Sequence, residues 1–328
     1  MNPLVSIIIT SYNIEQYIKE ALFSCINQTY KNIEIICIDD YSTDQTFDIL
    51  SSIKKDKINN IILYQQEYNK GPNSARQKGV ELAKGKFIFF LDGDDYIPTN
   101  AIESLVKELF NNDYDIIFGN TQVFIENEFK KNIGDYEVIK GISGIEYLPT
   151  YFNKQHSIWG KLIKRSLFNN NINYLHHLKI GEDLGLMVQL LYHADKINYT
   201  SNITYNYRGK RNNSLTQKYS YTNQYLAAIP AVSFVCDYLQ DKNILIKPDF
   251  FPFFHRYFYA FITSTNPPNS IIKHIKNIIN KTTPLYKEKD NFTHYLHLTS
   301  KINLKLGHLY YIVYTYISKK WKRNKYYF

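Results

Sequence analysis

Cysteine is scarce in this chain of 328 residues: there are three, Cys25, Cys37 and Cys236. An odd number at unrelated spacings implies neither a disulfide frame nor a zinc site. The nine histidines show no metal-ligand spacing either, and the neighbouring His176 and His177 face differently and have no assigned role. No apolar run reaches the ~20 residues that a membrane-spanning helix requires. Val5 to Ile9 is too short for a signal sequence and no basic segment leads into a long apolar one, so a cytoplasmic location is expected. No G-x-G-x-x-G follows the first apolar run, which disfavours an ordinary dinucleotide-binding fold. Repeats and low-complexity stretches are missing too.

Acidic residues are also missing from the end of the chain: none occurs from Asn291 onward, where Lys301, Lys305, Lys319, Lys320, Lys322, Arg323 and Lys325 give +7. Charge is therefore uneven, with −3 over residues 1–100 and +12 over the remainder. Leu304 to Ile317 is apolar and aromatic within this basic tail, a combination that suits a helix lying on a membrane surface. A nucleic-acid partner is disfavoured because no RNA- or DNA-binding motif accompanies the tail; a homodimer interface remains open. The aromatic segment between Pro252 and Pro267, with Arg256, Tyr257, Phe258, Tyr259 and Phe261, reads as a packed helix or an acceptor-binding element.

Against this background the N-terminal third is rich in pattern. Leu4–Thr10, Ile33–Ile38, Asn60–Tyr64 and Lys86–Leu91 are short β-type runs alternating with helical patterns, the signature of βαβ units and a parallel sheet. Ser42 or Thr43 is expected to cap the helix after the second strand, and Pro98 to open the one after the fourth. Ligands of such sheets bind beyond the carboxyl ends of the strands. Thr10-Ser11-Tyr12, Asp39-Asp40 and Asp92-Gly93-Asp94 all fall at that edge. The stretch Leu91-Asp92-Gly93-Asp94-Asp95 suits a hard divalent cation with carboxylate ligands. Capping of the next helix is the competing role for these acids.

Ser6–Asn13, Ser24–Tyr30, Ile38–Asp44 and Phe90–Asp95 together resemble the inverting family 2 glycosyltransferases of the GT-A fold. Motif order and spacing agree over roughly residues 3 to 110, far more specifically than one Asp-x-Asp. The resemblance continues thinly through Ile158–Ile163 and Gly181-Glu182-Asp183, towards bacterial enzymes that extend lipooligosaccharide, O-antigen or capsule chains, including β-1,3-galactosyltransferases. Beyond about residue 215 no motif is recognised. It implies that Thr10, Tyr12 and Asp40 line the base pocket of a UDP-sugar, Tyr12 against the ring and Asp40 accepting from the uracil N–H. It further implies that Arg76 lies near the nucleotide and diphosphate, Asp92 at the ribose or metal, and Asp94 as principal ligand of Mn²⁺ or Mg²⁺. Asp183 would be the general base, with Glu182 orienting a ligand or the acceptor. Read from the residues alone, the acid pair opens a helical pattern and also suits the helix dipole.

Trp159, next to Gly160, could stack on an acceptor sugar or be a buried anchor, and Lys161 could reach hydroxyls or phosphate. Tyr205–Ser214, which includes Arg208, reads as a loop able to close over the diphosphate, or as plain surface. The expected architecture is α/β: a GT-A catalytic domain over 1–215, with a nucleotide-sugar half (1–110) and an acceptor half (111–215). A helical, basic, aromatic C-terminal extension follows over 216–328. The expected activity is metal-assisted inverting transfer of a hexose or N-acetylhexosamine from a UDP-sugar to a hydroxyl of a growing surface glycan or glycolipid. The enzyme is expected to be peripheral on the inner face of the cell membrane. The alternatives are a sugar-1-phosphate nucleotidyltransferase, whose usual Gly-rich loop is missing here, and a non-catalytic membrane-bound scaffold.

Overall fold

Val5–Ser11 (β1), an apolar run buried everywhere but Thr10, pairs in parallel on both edges, which explains why it lacks the alternation of a half-exposed strand. Its neighbours are Ile33–Asp39 (β2) and Phe87–Asp92 (β4); Ile61–Gln65 (β3) lies beyond β2. The computed structural model describes residues 2–55, 61–110, 112–134, 140–152, 156–178, 180–209, 221–244, 257 and 269–282. Helices Ile18–Ile26 (α1), Thr46–Lys55 (α2) and Pro72–Leu82 (α3) connect these four strands. The chain leaves β1 for β2 on one side and later returns with β4 on the other. That reversal makes the gap beyond the ends of β1 and β4 a switch point, where such sheets take ligands.

The sheet is completed by Ile116–Ile125 (β5), Glu128–Ile133 (β6), Lys161–Lys164 (β7) and Ile197–Gly209 (β8). Its order is β3-β2-β1-β4-β7-β5-β6, with β8 parallel to β5. Strand β7 runs antiparallel to both β4 and β5 and joins the two halves into one sheet. Helices Ala101–Lys107 (α4), Gly144–Tyr151 (α5) and Glu182–His193 (α6) accompany this half. A capping box at Ser143 and Glu146 starts α5.

Three local expectations are corrected. Ser42 and Thr43 do not cap α2: Asp44 Oδ1 accepts from Thr46 N, while Ser42 and Thr43 bind Asn13 of the preceding loop. Helix α4 begins at Ala101 rather than at Pro98, whose carbonyl accepts from Ala101 N. Tyr205–Gly209 is not a loop but the end of β8, paired with Thr121–Ile125. Its polar residues hid a strand whose partners on β5 are far away in sequence.

The chain divides into two compact units, Met1–Lys218 and Tyr219–Phe328. In the second, Tyr221–Asp241 (α7) packs on Asn269–Thr282 (α8), which buries Ile271, Ile275 and Ile278 at helical spacing. Asn277 Nδ2 donates to Ser233 Oγ at 2.9 Å and to Asp237. Among the described residues no helix is long and apolar enough to cross a membrane. The basic tail from Asn291, and the 252–267 segment apart from Tyr257, lie outside the described residues.

Candidate active site

Thr10 and Asp92 are register partners at the ends of β1 and β4, and the turn after Asp92 is held tightly against β1. Gly93 N donates to Thr10 O at 2.9 Å. A Cβ at Gly93 would stand 2.7 Å from Ile14 Cδ1 and 2.8 Å from Thr10 O, so only glycine lets the turn approach this closely. Asp92, Asp94 and Asp95 each offer a carboxylate oxygen within 4.8 Å of the others. Asp95 is already engaged: Oδ2 accepts from Tyr205 Oη at 2.8 Å and Oδ1 from Arg208 N at 2.7 Å. Burial, reinforced by the charges of Asp94 and Asp92, pushes the Asp95 carboxyl well above the usual carboxylate range. Asp92 and Asp94 are thus the members suited to ligate a hard cation, with Asp95 behind them.

Helix α3 carries Arg76 into the same crevice, 3% exposed. Its Nη2 lies 3.2 Å from Asp92 Oδ1. Its Nη1 meets Asp183 Oδ1 at 2.6 Å, Asn73 Oδ1 at 2.8 Å and Glu182 Oε1 at 3.5 Å. The buried Nε has no hydrogen-bond partner. One guanidinium therefore gathers carboxylates from the acidic turn and from the start of α6. Gly181 caps α6 in the left-handed region (φ +83°), and Glu182 and Asp183 fill its first turn, where the helix dipole favours negative charge. Burial raises the Asp183 carboxyl above its ordinary value, an effect the Arg76 charge opposes. Glu182 is raised too, by burial and by its acidic neighbour. Asn73, to which the sequence assigned no role, ties α3 to this region by donating to Tyr174 O at 2.5 Å.

On the opposite side, Asp40 is buried and accepts from Gln66 Nε2 and Lys70 N, both at 2.7 Å, and from Gly71 N at 2.8 Å. It fixes the turn leading into α3. Tyr12 stands 46% exposed in the β1–α1 loop, which Asn13 bonds to Ser42 and Thr43 after β2.

The remaining sequence candidates point elsewhere. Trp159 is buried, stacked on Tyr205 (centroids 4.2 Å apart, 13° between planes) and alongside Tyr207. Its ring face is used by the protein itself rather than held open. Lys161 does not reach outward: its buried Nζ donates to Ser157 O, Ser157 Oγ and Trp159 O at 2.7, 3.2 and 3.1 Å. Burial lowers it to about 7, against the attraction of Asp183. Arg208 braces the acidic turn, donating from Nε to Asp94 O at 3.0 Å and from Nη2 to Glu20 Oε2 at 2.8 Å. Besides Asn73, sequence reasoning missed Tyr205 and the inward role of Asp95; only Asp95's place in the acidic run hinted at it.

The profile of glycosyl transferase family 2 matches residues 6–183, which takes in the acidic turn, Arg76 and the Glu182-Asp183 pair. The chain belongs to that family. Among relatives of this family 2 glycosyltransferase, GlyA of Streptococcus pneumoniae is 31% identical over 217 residues, covering 62% of this chain and 30% of GlyA. The UDP-Glc:alpha-D-GlcNAc-diphosphoundecaprenol beta-1,3-glucosyltransferase WfaP of Escherichia coli is 42% identical over 126 residues, 38% of this chain and 48% of WfaP. The chain thus spans less than half the length of these two curated relatives. In fold it is similar to S. aureus TarS 1–349 in complex with UDP (TM-score 0.73, 18% identity, 99% of this chain and 93% of that one). The family 2 assignment removes the sugar-1-phosphate nucleotidyltransferase alternative.

Proposed function

We propose that this protein is an inverting glycosyltransferase that moves a hexose or N-acetylhexosamine from a UDP-sugar to a hydroxyl of a growing bacterial surface glycan. The observation that carries the reading is the shared guanidinium of Arg76. It joins Asp92 of the acidic turn to Asp183 at the head of α6, so the two chemical demands of the reaction meet across one crevice. Thr10, Tyr12 and Asp40 form the base pocket, Asp40 also by holding the turn at Gln66–Gly71. Asp92 and Asp94 would hold Mn²⁺ or Mg²⁺, which would supply Lewis-acid neutralisation of charge on the departing diphosphate. Glu182 and Arg76 orient the groups around the reacting carbon.

In the reaction, the acceptor oxygen forms a bond to the anomeric carbon as the bond from that carbon to the diphosphate oxygen breaks. Asp183 takes the hydroxyl proton, and the bonding pair leaves with UDP. One base suffices, whereas glycoside hydrolysis normally uses two carboxylates flanking the bond. Support for the donor comes from the UDP complex of TarS, and for a lipid-linked acceptor from the diphosphoundecaprenol substrate in the name of the E. coli relative. An acceptor of that kind, together with the basic, aromatic composition of the tail, supports a location on the cytoplasmic face of the membrane.

Calorimetry with UDP and a panel of UDP-sugars, with Mn²⁺ and then with EDTA, tests the donor. Metal-dependent binding of UDP and one UDP-sugar is expected; no UDP binding in either condition overturns the reading. In parallel, Asp183→Asn should lower transfer roughly 10²-fold or more while UDP binding persists. Unchanged transfer in that variant would remove Asp183 as base.

A further inference from the structure

The acidic turn is held from a direction that the proposed chemistry does not use. Strand β8 passes beneath it, and its last residues meet the turn position by position. Tyr205 Oη accepts from Asp92 N at 3.2 Å and donates to Asp95 Oδ2 at 2.8 Å. Asn206 and Tyr96 form a backbone bridge, Asn206 N donating to Tyr96 O at 2.9 Å. Arg208 N donates to Asp95 Oδ1 at 2.7 Å, and Arg208 Nε to Asp94 O at 3.0 Å. The guanidinium also lies over the rings of Tyr17 and Tyr96, 5.1 Å from each centroid. Tyr205 is itself fully buried and clamped by the Trp159 indole. None of these groups is a plain cap of α4, which starts at Ala101.

We infer that Tyr205 and Arg208 are positioning residues: acting through Asp95 and the turn backbone, they set the carboxylates of Asp92 and Asp94 for a divalent cation. The inference rests on the metal reading of the proposed function and adds to it a mechanical link between the two halves of the catalytic unit. The acidic turn belongs to the donor half, while β8 and Trp159 belong to the acceptor half. Tyr205 offers the turn one acceptor and one donor in a fixed arrangement, so Asp95 is spent as a support rather than as a ligand. Partners behind a metal's ligands orient those ligands and tune affinity in this way.

The test is titration of the full chain with Mn²⁺, with and without UDP, followed by the EPR signal of free Mn²⁺. Tyr205→Phe keeps the ring stacked on Trp159 and removes only the hydroxyl. It should raise the Mn²⁺ Kd about tenfold, at the low end of the roughly 10–100-fold that such partners contribute. Tyr199→Phe, which removes another β8 hydroxyl bonded to Asn120 Oδ1, serves as the structural control and should leave the Kd unchanged. Should Tyr205→Phe not fold, Arg208→Met tests the same support from the strand end and should raise the Kd severalfold. Asp94→Asn separates the two levels of the argument. If Asp94→Asn abolishes Mn²⁺ binding but Tyr205→Phe and Arg208→Met bind as the parent does, the metal reading stands and the positioning role is overturned. If Asp94→Asn binds Mn²⁺ as well as the parent, or the parent binds none, the metal reading falls and this inference falls with it.

Discussion

Arg76 and Asp183 meet at 2.6 Å, and so tie α3 to α6. The same guanidinium reaches Asp92 at 3.2 Å and Glu182 at 3.5 Å, so three carboxylates share one buried cation. A buried cluster of that kind contributes little net stability, because desolvation offsets most of the Coulomb attraction. Its effect is on position and on protonation. Asp183 must be ionised to accept a proton, and burial works against that. Burial prevails, but Arg76 favours the charged form, aided by the N–H of Ile158 on Oδ2 and by Lys161, while Asp92 opposes it.

Arg76→Met should therefore act on the pH profile as well as on the rate. With the guanidinium gone, the Asp183 carboxyl rises further, and the acidic limb of kcat/KM moves to higher pH. Stability should fall by about 3–5 kcal/mol, since the change leaves buried carboxylates without their partner. Arg76→Lys should show a smaller displacement in the same direction. A pH–rate profile with an unmoved acidic limb would detach Arg76 from the base.

The first four strands and the edge where Thr10, Asp40 and Asp92 converge were legible because parallel strands buried on both faces read as continuous apolar runs. Motif spacing also singled out Asp183, which the structure sets against Arg76. What lay hidden depends on long-range pairing. Tyr205-Asn206-Tyr207-Arg208 looks like a polar loop, and only its register against Thr121–Phe124 makes it a strand. The inward turn of Lys161 was equally invisible: a lysine beside a tryptophan gives no sign that its ammonium ends among two carbonyls and a hydroxyl. Side-chain direction is decided by such packing.

Lys161 should leave a trace in stability against pH. Its folded value of about 7 lies below the ordinary 10.5. Between those two values the unfolded chain holds a proton that the folded chain has shed, so this group makes stability rise with pH through that window. Below the window both states are protonated, and the cost of burying the charge is present in full. Each pH unit of the window corresponds to about 1.4 kcal/mol. Lys161→Met should flatten the dependence, its stability relative to the parent being more favourable at about pH 6.5 than at about pH 9. Urea denaturation at the two pH values reads this; parallel curves for both proteins would contradict the buried, depressed lysine.

Gly79 lies one turn beyond Arg76 on α3, where the helix presses on β1. An added Cβ would run into Ile8 Cγ2 and stand 3.1 Å from Ile8 Cδ1. Gly79→Ala should cost about 1–3 kcal/mol in chemical denaturation, the usual effect of an extra methyl in a packed core. Because the same shift moves Arg76, transfer should fall as well, more than for a change of equal stability cost in the second unit. Equal losses of activity in the two would mean that α3 carries no special information to the site.

Asp40 offers the sharpest test of the base pocket, because its carboxylate already accepts three N–H groups from the turn at Gln66–Gly71. Asn in its place presents an amide donor where at least one backbone N–H now finds an acceptor, and each buried donor left unmet costs about 1–3 kcal/mol. The turn leading into α3 should loosen, and Arg76, which follows it by five residues, loses its fixed approach to the crevice. Asp40→Asn should therefore weaken UDP binding about tenfold, as a loss of about 1.4 kcal/mol would, together with a drop in thermal stability. The decisive comparison is between the two readouts. Reduced stability with an unchanged UDP Kd would confine Asp40 to the scaffold, whereas a raised Kd at temperatures where the variant is fully folded ties Asp40 to UDP binding, directly or through the turn it holds.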